Sequence, residues 1–399
     1  MASIDSKIQV NSPFKIVHSS TDLSKAILSI WIYSGVQGAA QAAGTIAPES
    51  NGRTADTLAF TLTSTAVGLN GSKYVAFEVA SLIRSFITEQ YDGDSNDSRG
   101  GSTRFVDYQL TTYLGANETI QELVRCVAYD GYSYFEEGFN AQSSPNGLIS
   151  ADVISKLEDT PVEIGLDNTN TSRISFLNNG NLVNSREVIT SNLDFEQIEY
   201  VSGTYENADR YEIRVLNDNG TFEDSACLRA FKCTQETFEC DTIHVEDTSN
   251  NVRVIKVNSL ERTQHTPYKV TFVNKEGALE HLWFVGNSTE SISNKSKKYN
   301  RVITDYSSGG SYDTYDASVY RQRISSNKQL VLNSGFHPEG SNSSFEQLIQ
   351  SDHVWIEYKN QVLPIIITNS KFNFKTHLND NAINYTINVE FAFNRINNI

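Results

Sequence analysis

The sequence predicts a mainly β protein, built from two or three β-sandwich- or β-barrel-like domains with one or two short helices and extended loops or arms. Three observations carry this. Apolar side chains alternate with polar ones over short runs, the period of a pleated strand. Aromatic residues are abundant, with 20 Phe and 19 Tyr, while tracts rich in Ala, Leu and Glu are scarce, which favours strands over helices. Ser, Asn, Thr and Gly crowd the segments between apolar runs, the composition of closely spaced turns. At 399 residues the chain exceeds one ordinary core, and roughly 150 residues per domain gives two or three. The expected division is 1–150, 151–262 and 263–399.

In the first region, residues 26–33 form an expected strand with Leu28, Ile30 and Ile32 on one face and Ile27, Trp31 and Tyr33 on the other. Residues 35–51 are too poor in large apolar groups to hold a core, so they read as a loop or arm. Between 77 and 91 the spacing turns helical: Val79, Leu82, Ile83, Phe86 and Ile87 form one stripe. Residues 92–101 hold Asp92, Asp94 and Asn96 at calcium-loop spacing. Asp97 stands where the sharp turn needs Gly, and Thr103 where the loop closes on Glu, so a solvated loop is the better reading.

The middle region carries two Asn-Gly pairs between apolar runs, Asn179-Gly180 and Asn219-Gly220. Both residues of such a pair tolerate positive φ, which suits a two-residue hairpin turn. A turn at 179 and 180 pairs Leu177 with Leu182 and Phe176 with Val183. In the last region, YKVTFV and LEHLWF read as two strands joined across residues 274–278. Residues 286–318 are polar and cluster Lys295, Lys297, Lys298 and Arg301 before an acidic, Tyr- and Ser-rich run. This is an exposed hairpin or loop, or else an arm whose basic cluster meets an acidic neighbouring subunit. Ser343 and Glu346 have capping-box spacing at the start of a helix burying Phe345, Leu348 and Ile349. That helix is expected to cover one end of the C-terminal sheet.

The chain ends in an expected hairpin. Phe372, Phe374 and Leu378 fall on even positions, and Ile383, Tyr385, Ile387, Val389, Phe391 and Phe393 on odd ones. With residues 379–382 as the loop, Leu378 faces Ile383, Phe372 faces Val389 and Lys371 faces Glu390.

The stretches FVNKEGALEHLWFVG (272–286), LVLNSGFHPEGSNSSFEQLIQSDHVWI (330–356) and LPIIITNSKFNFKTHLNDNAINYTINVEFAFNRINNI (363–399) resemble a group of tailed-bacteriophage virion proteins. AYDGYSYFEEGFN (128–140) is similar to a further block of that pattern. The resemblance implies a structural role in a phage particle, in the tail or baseplate, and brings no catalytic residues with it.

A net charge of −16 argues against a phosphate-binding or DNA-reading role, because nucleic-acid proteins use Lys and Arg to replace counterions. Residues 1–10 lack the apolar core of a signal peptide, and no segment approaches about 18 apolar residues, so neither that export route nor membrane insertion is expected. Nucleophile, zinc-protease and phosphate-loop motifs are missing.

Cys227, Cys233, Cys240 and His244 lie close enough to surround a zinc ion, but without a Cys-x-x-Cys pair. Buried thiols are the simpler expectation, no cofactor is expected, and Cys126 reads as a core residue. Glu136 and Glu137 lie among aromatics, yet adjacent strand residues point to opposite faces, which spoils them as a catalytic pair. Tyr129, Tyr132 and Tyr134 could stack on sugar rings, but alternate spacing suits a buried strand face, and core packing with a turn at Asp130-Gly131 is the better reading.

The expectation is therefore a non-enzymatic virion subunit, assembled in the host cytoplasm into a tail or baseplate ring or adaptor. Its partners are copies of itself, in a closed hexamer or trimer, and other virion proteins. The alternatives are a receptor- or glycan-binding adhesin and a polysaccharide hydrolase.

Overall fold

The computed structural model describes residues 6–33, 58–69, 71–89, 91–93, 103–121, 123–142, 146–158, 160, 162–167, 171–187, 198–202, 228–231, 241–304, 306–369, 371, 373 and 382–393. Of these, 58% lie in strands and 8% in helices, so the protein is mainly β with several sheets. The expected arm at 35–51, the Asn219-Gly220 turn, Cys227, Cys233, Cys240 and most of the 92–101 loop fall outside the described residues.

The N-terminal third gives β1 (Ser6–Gln9), β2 (Lys15–Ser20), β3 (Leu23–Tyr33), β4 (Leu58–Thr65), β5 (Val67–Leu69), β6 (Ser72–Glu78), α1 (Ala80–Arg84), β7 (Thr103–Leu114), β8 (Asn117–Ile120) and β9 (Val124–Tyr129). One sheet runs β1-β9-β7-β3-β4 with β8 on β7, and a smaller one runs β2-β6-β5. Residues from both sheets fill one core: Leu28, Ile30 and Ile32 from the first, Ile16, Val75 and Phe77 from the second. The expected inward face of β3 is thus buried, and Cys126 lies in the same core. β1 closes the first sheet by pairing parallel with β9, Ser6 beside Cys126 and Gln9 beside Tyr129.

The helix expected over 77–91 is only five residues long. Strand alternation continues through Phe77, and the Glu78 carboxylate accepts from the backbone N–H groups of Phe14 (3.0 Å) and Ala80 (3.2 Å), which pins the strand end. Ser85 then donates its hydroxyl to the Leu82 carbonyl (2.8 Å), a local bond that competes with helix continuation. Val79 and Ile83 are buried as expected, but Phe86 is exposed.

The middle of the chain forms β10 (Val153–Leu157), β11 (Glu163–Asp167), β12 (Thr171–Asn178), β13 (Asn181–Glu187), β14 (Ile198–Ser202), β15 (Leu228–Phe231), β16 (Thr242–Asp247) and β17 (Val252–Leu260). They make a β10-β17-β16-β12-β13 sheet and a β11-β14-β15 sheet. Asn179 (φ 50) and Gly180 (φ 77) turn β12 into β13, with Leu177 opposite Leu182 as the Asn-Gly pair predicts. One step further the register shifts, so Phe176 faces Asn184 rather than Val183. The bulge leaves Phe176 buried and Val183 exposed.

The last third gives β18 (Tyr268–Val273), β19 (Leu279–Phe284), β20 (Thr289–Asn300), β21 (Val319–Pro338), α2 (Asn342–Gln350), β22 (Val354–Tyr358), β23 (Gln361–Ile367) and β24 (Ala382–Phe391). These strands form one seven-stranded sheet in the order β19-β18-β22-β23-β24-β21-β20. β18 and β19 pair as expected, from Tyr268 with Phe284 to Val273 with Leu279. α2 sinks Phe345 and Leu348 fully into the core of this sheet, and the Phe345 ring lies 4.8 Å from that of Tyr385. The capping box does not form. α2 continues directly from a 3-10 turn at Glu339–Ser341, so Ser343 already lies inside the helix, and Ile349 is only half-buried.

The odd face of β24 is buried as expected from Ile383 through Tyr385, Ile387 and Val389 to Phe391, but Phe393, past the end of the strand, is exposed. The partners of β24 differ from the expected ones. Val389 pairs with Ile367 rather than Phe372, and Glu390 with Ile366 rather than Lys371. A two-residue turn at Lys359 (φ 52) and Asn360 (φ 61) sets Tyr358 opposite Gln361. That turn delivers Ile365, Ile366 and Ile367 to β24 first, while β21 takes its other edge. Of the expected even-position strand, only Lys371 and Asn373 are described.

His337 ties the middle of the chain to the last third. Its Nε2 lies 3.2 Å from the Trp283 carbonyl and 3.1 Å from that of Ser334, so Nε2 carries the proton; Nδ1 then accepts from the Ser155 hydroxyl at 3.1 Å. Burial pushes the imidazole pKa down to about 4, against the smaller opposing effect of the two carbonyls. The folded state therefore resists a proton that the unfolded chain accepts near pH 6.5. Stability attributable to His337 is intact above pH 6.5 and falls by roughly 3 kcal/mol as pH drops towards 4. Urea unfolding followed by tryptophan fluorescence across this range is expected to show a shallower pH slope for His337→Gln than for the wild type, on a lower plateau at pH 7. An unchanged slope would show that the imidazole does not carry the effect.

Candidate functional site

β9 ends at Tyr129, where the chain turns at Asp130 and Gly131. Beyond it the chain runs as a loop through Ser133 into a 3-10 turn at Phe135–Glu137. Tyr129 is buried, Tyr132 and Tyr134 are half-buried, and Phe135 at the tip is 99% exposed. The alternate aromatic spacing therefore does not mark a buried strand face past Tyr129. The loop packs onto the turn between β18 and β19. Tyr132 donates its N–H to the Lys275 carbonyl (3.0 Å) and its hydroxyl to Gln350 at the end of α2 (3.0 Å).

Two glycines permit this approach. A Cβ on Gly277, which has φ +74, would lie 2.7 Å from the Tyr129 ring, and one on Gly131 would lie 2.6 Å from the Lys275 carbonyl oxygen. Both lie in turns, where the chain comes within contact of another segment.

The contacts around this loop are mostly polar. Asp130, only 5% exposed, accepts from Asn11 Nδ2 at 2.7 Å, and its other oxygen lies 3.3 Å from His353 Nε2. Lys275 pairs with Glu137 and holds its ammonium 4.9 Å from the Tyr134 ring centroid. Burial raises the Glu137 carboxyl, but the hydrogen bonds from Lys275 and the Tyr134 N–H outweigh it and hold the group below the ordinary carboxylate range. Burial also raises both Tyr132 and Tyr134, with neighbouring carboxylates adding to it, so each phenol stays protonated. The two rings meet edge to face at 5.8 Å.

Between these groups lies a cleft of about 370 Å³, lined by Asp130, Tyr132, Tyr134, Asn274, Gln350 and Asp352 among others. Arg84 of α1 crosses it to pair with Asp352 at 2.7 Å. Every polar group named so far already has a protein partner. Glu137 is occupied by Lys275, and Glu136 lies beside it in the same 3-10 turn. Tyr132, Tyr134 and Glu137 thus fasten the N-terminal third to the last third, while Glu136 is exposed. Sequence could not reveal Lys275 and Gln350 as their partners, because no local pattern joins residues this far apart.

The other candidate residues lie at the opposite edge of the seven-stranded sheet. β20 and β21 pair along their length, and Lys295, Lys297 and Lys298 sit on β20 opposite Ser325, Gln322 and Arg321. β20 is exposed at all but one of its residues. Tyr299 and Tyr320 stack across the pair at 5.7 Å, with the Arg301 guanidinium 5.8 Å from the Tyr320 ring. β24 pairs with β21 only from Gln329 onward, so among the described residues the ribbon beyond it is two strands wide. Its far end carries Tyr306, Tyr312 and Tyr315, all exposed, with Asp313 and Asp316. Among the described residues no carboxylate pairs with Lys295, Lys297 or Lys298.

Among the described residues no group of His, Cys, Asp and Glu is arranged to hold a metal. His244 sits on β16 between Ser175 and Val254, half-buried. No helix among the described residues is long and apolar enough to cross a membrane. No family model matches the chain, and no curated protein matches it either.

Asn274 organises the junction. Its Oδ1 accepts from the N–H groups of Glu276 and Ala278, both at 3.0 Å, while Nδ2 donates to the Leu148 carbonyl at 2.9 Å and to Glu280 at 3.1 Å. Asn274→Ala is expected to lose roughly 3 kcal/mol or more, since several buried partners lose their bonds at once. Asn274→Asp, which keeps Oδ1 but puts a carboxylate against Glu280, is expected to be destabilised as well. Chemical denaturation measures both; a loss under about 1 kcal/mol for the alanine variant would remove Asn274 from this role.

Proposed function

We propose that this chain is a structural subunit of a tailed-phage particle, a tail or baseplate ring or adaptor protein that acts by symmetric self-assembly. The observation that carries the reading is the β20–β21 ribbon. An isolated two-stranded ribbon is marginally stable in water and gains stability from a third strand or an apolar partner. Here the outer part has neither among the described residues, its edge strand is long, and it ends in three exposed tyrosines. The lysines on that edge discourage strand-to-strand pairing, which leaves the faces of the ribbon and its tyrosine tip for a partner. Tyr is also a residue enriched at protein interfaces.

The occupant is a second copy of the chain. Lys295, Lys297, Lys298 and Arg301 form a basic stretch on a protein of net charge −16, so an acidic face of a neighbouring copy is their complement. A ribbon that reaches onto a different surface of the next copy makes a head-to-tail contact, and such contacts close into a ring when the rotation per copy divides a full turn. The expected product is a hexamer or trimer, assembled in the host cytoplasm and built into the virion beside other particle proteins. The reading is non-enzymatic. The adhesin alternative gains nothing from Tyr132 and Tyr134, whose hydroxyl and ring edges are already engaged.

Size-exclusion chromatography with light scattering is expected to give a closed oligomer for the wild type. Changing Lys295, Lys297 and Lys298 together to Glu should shift it to monomer with an unchanged circular dichroism spectrum. A wild type that stays monomeric at high concentration, and in isolated particles, would defeat the proposal.

A further inference from the structure

A second and larger groove, about 1300 Å³, opens on the side of the seven-stranded sheet that carries Tyr268, Tyr358 and the Lys359–Asn360 turn. Its size exceeds the ~300–1,000 Å³ of a small-molecule pocket, and it is open rather than enclosed, so it suits an extended chain. Trp283 and Tyr91 join the two tyrosines in its lining.

The tyrosine pair is built as a platform. Tyr268 and Tyr358 lie parallel, with centroids 6.3 Å apart and planes 6° from each other. Tyr358 is the buried partner: Lys328 Nζ sits 4.4 Å from its ring centroid, and its hydroxyl donates to Glu290 at 2.7 Å. Lys328 also pairs with Glu290 at 2.6 Å, so two mutually paired groups lock that ring in place. Tyr268 is half-buried, with one face on Tyr358, and lines the groove. A rigid ring beside a groove is the arrangement that binds at low entropic cost.

The surrounding charges select the ligand. Asp92, Glu290 and Glu357 line the groove against Lys269 and Lys359. Glu357 pairs with Lys269 at 3.3 Å yet remains 40% exposed. Lys328, paired with Glu290, brings the ammonium groups level with the carboxylates, so the groove has no net positive charge to draw in a polyanion such as a nucleic acid or sulfated sugar. The exposed amides of Asn360 and Gln361 supply neutral donors and acceptors at the rim. Apolar ring faces next to carboxylates and amides match the two sides of a sugar, its C–H face and its hydroxyls.

We propose that this groove binds an uncharged oligosaccharide, with the Tyr268 ring as its stacking platform and Glu357 accepting hydroxyl hydrogen bonds. The site does not depend on the assembly reading, because its residues lie away from the Lys295–Arg301 stretch and binding is read per subunit.

The test uses the full chain on an array of immobilised neutral, amino-sugar, sulfated and peptide probes. Binding to at least one neutral oligosaccharide is expected. Tyr268→Ala and Glu357→Gln should each weaken it about tenfold or more, while Tyr268→Phe keeps the ring and stays within a few-fold of wild type. Thermal melting reports whether Tyr268→Ala is folded; if it is not, Glu357→Gln with Tyr268→Phe decides the matter. The proposal fails if no neutral sugar binds, if sulfated or peptide probes are preferred, or if the weakening variants bind as wild type does.

Discussion

Asn274 sits 1% exposed in the turn between β18 and β19, where three separate stretches of chain converge, and a buried amide there must find partners for all its polar atoms. It does so by closing its own turn through Glu276 and Ala278 and by reaching Leu148 and Glu280. Glu280 in turn accepts from the backbone and hydroxyl of Ser150, at 2.9 and 2.6 Å. The next residue, Lys275, supplies its carbonyl to Tyr132, its N–H to Gln347 and its ammonium to Glu137. One turn of five residues therefore links the N-terminal sheets, the middle sheets and α2. Because each bond presupposes the others, the junction is formed whole or not at all.

Much of the fold was legible because strand period and turn chemistry are local. The β18–β19 pair, the inward face of β3, the Asn179-Gly180 turn and the buried odd face of β24 all follow from side-chain alternation and from residues that accept positive φ. What failed is what local pattern does not encode. Residues 365–367 are as apolar as those at 372–378, so period alone could not choose between them as partners for β24; the Lys359–Asn360 turn made the choice. Neither residue of that turn is glycine, and this hid the signal. The helical spacing at 79–87 was genuine but ended early, cut short by Glu78 and Ser85, whose side chains bond to nearby backbone.

The candidate site was legible only in part. Aromatics and carboxylates at 129–137 stood out as a cluster, yet what they do depends on Lys275 and Gln350, which sequence places far away. The groove beside Tyr268 is less visible still. Tyr91 and Glu357 meet there across 266 positions of the chain, and Tyr268 and Tyr358 sit on different strands with nothing in either segment to suggest a shared ring stack. The basic stretch at 295–301 was plain in sequence, and its exposure on a strand edge adds the geometry that charge alone lacks.

The parallel pairing of β1 with β9 has a bearing on how the molecule is made. Ser6 meets Cys126 in that pair, so β1 leaves the ribosome about 120 residues ahead of the strand it pairs with. Until β9 emerges, the apolar Ile8 of β1, fully covered in the finished protein, stays open to solvent and to chance encounters. Synthesis thus runs with β1 held in waiting for β9, and that edge of the sheet is sealed only when both strands are out.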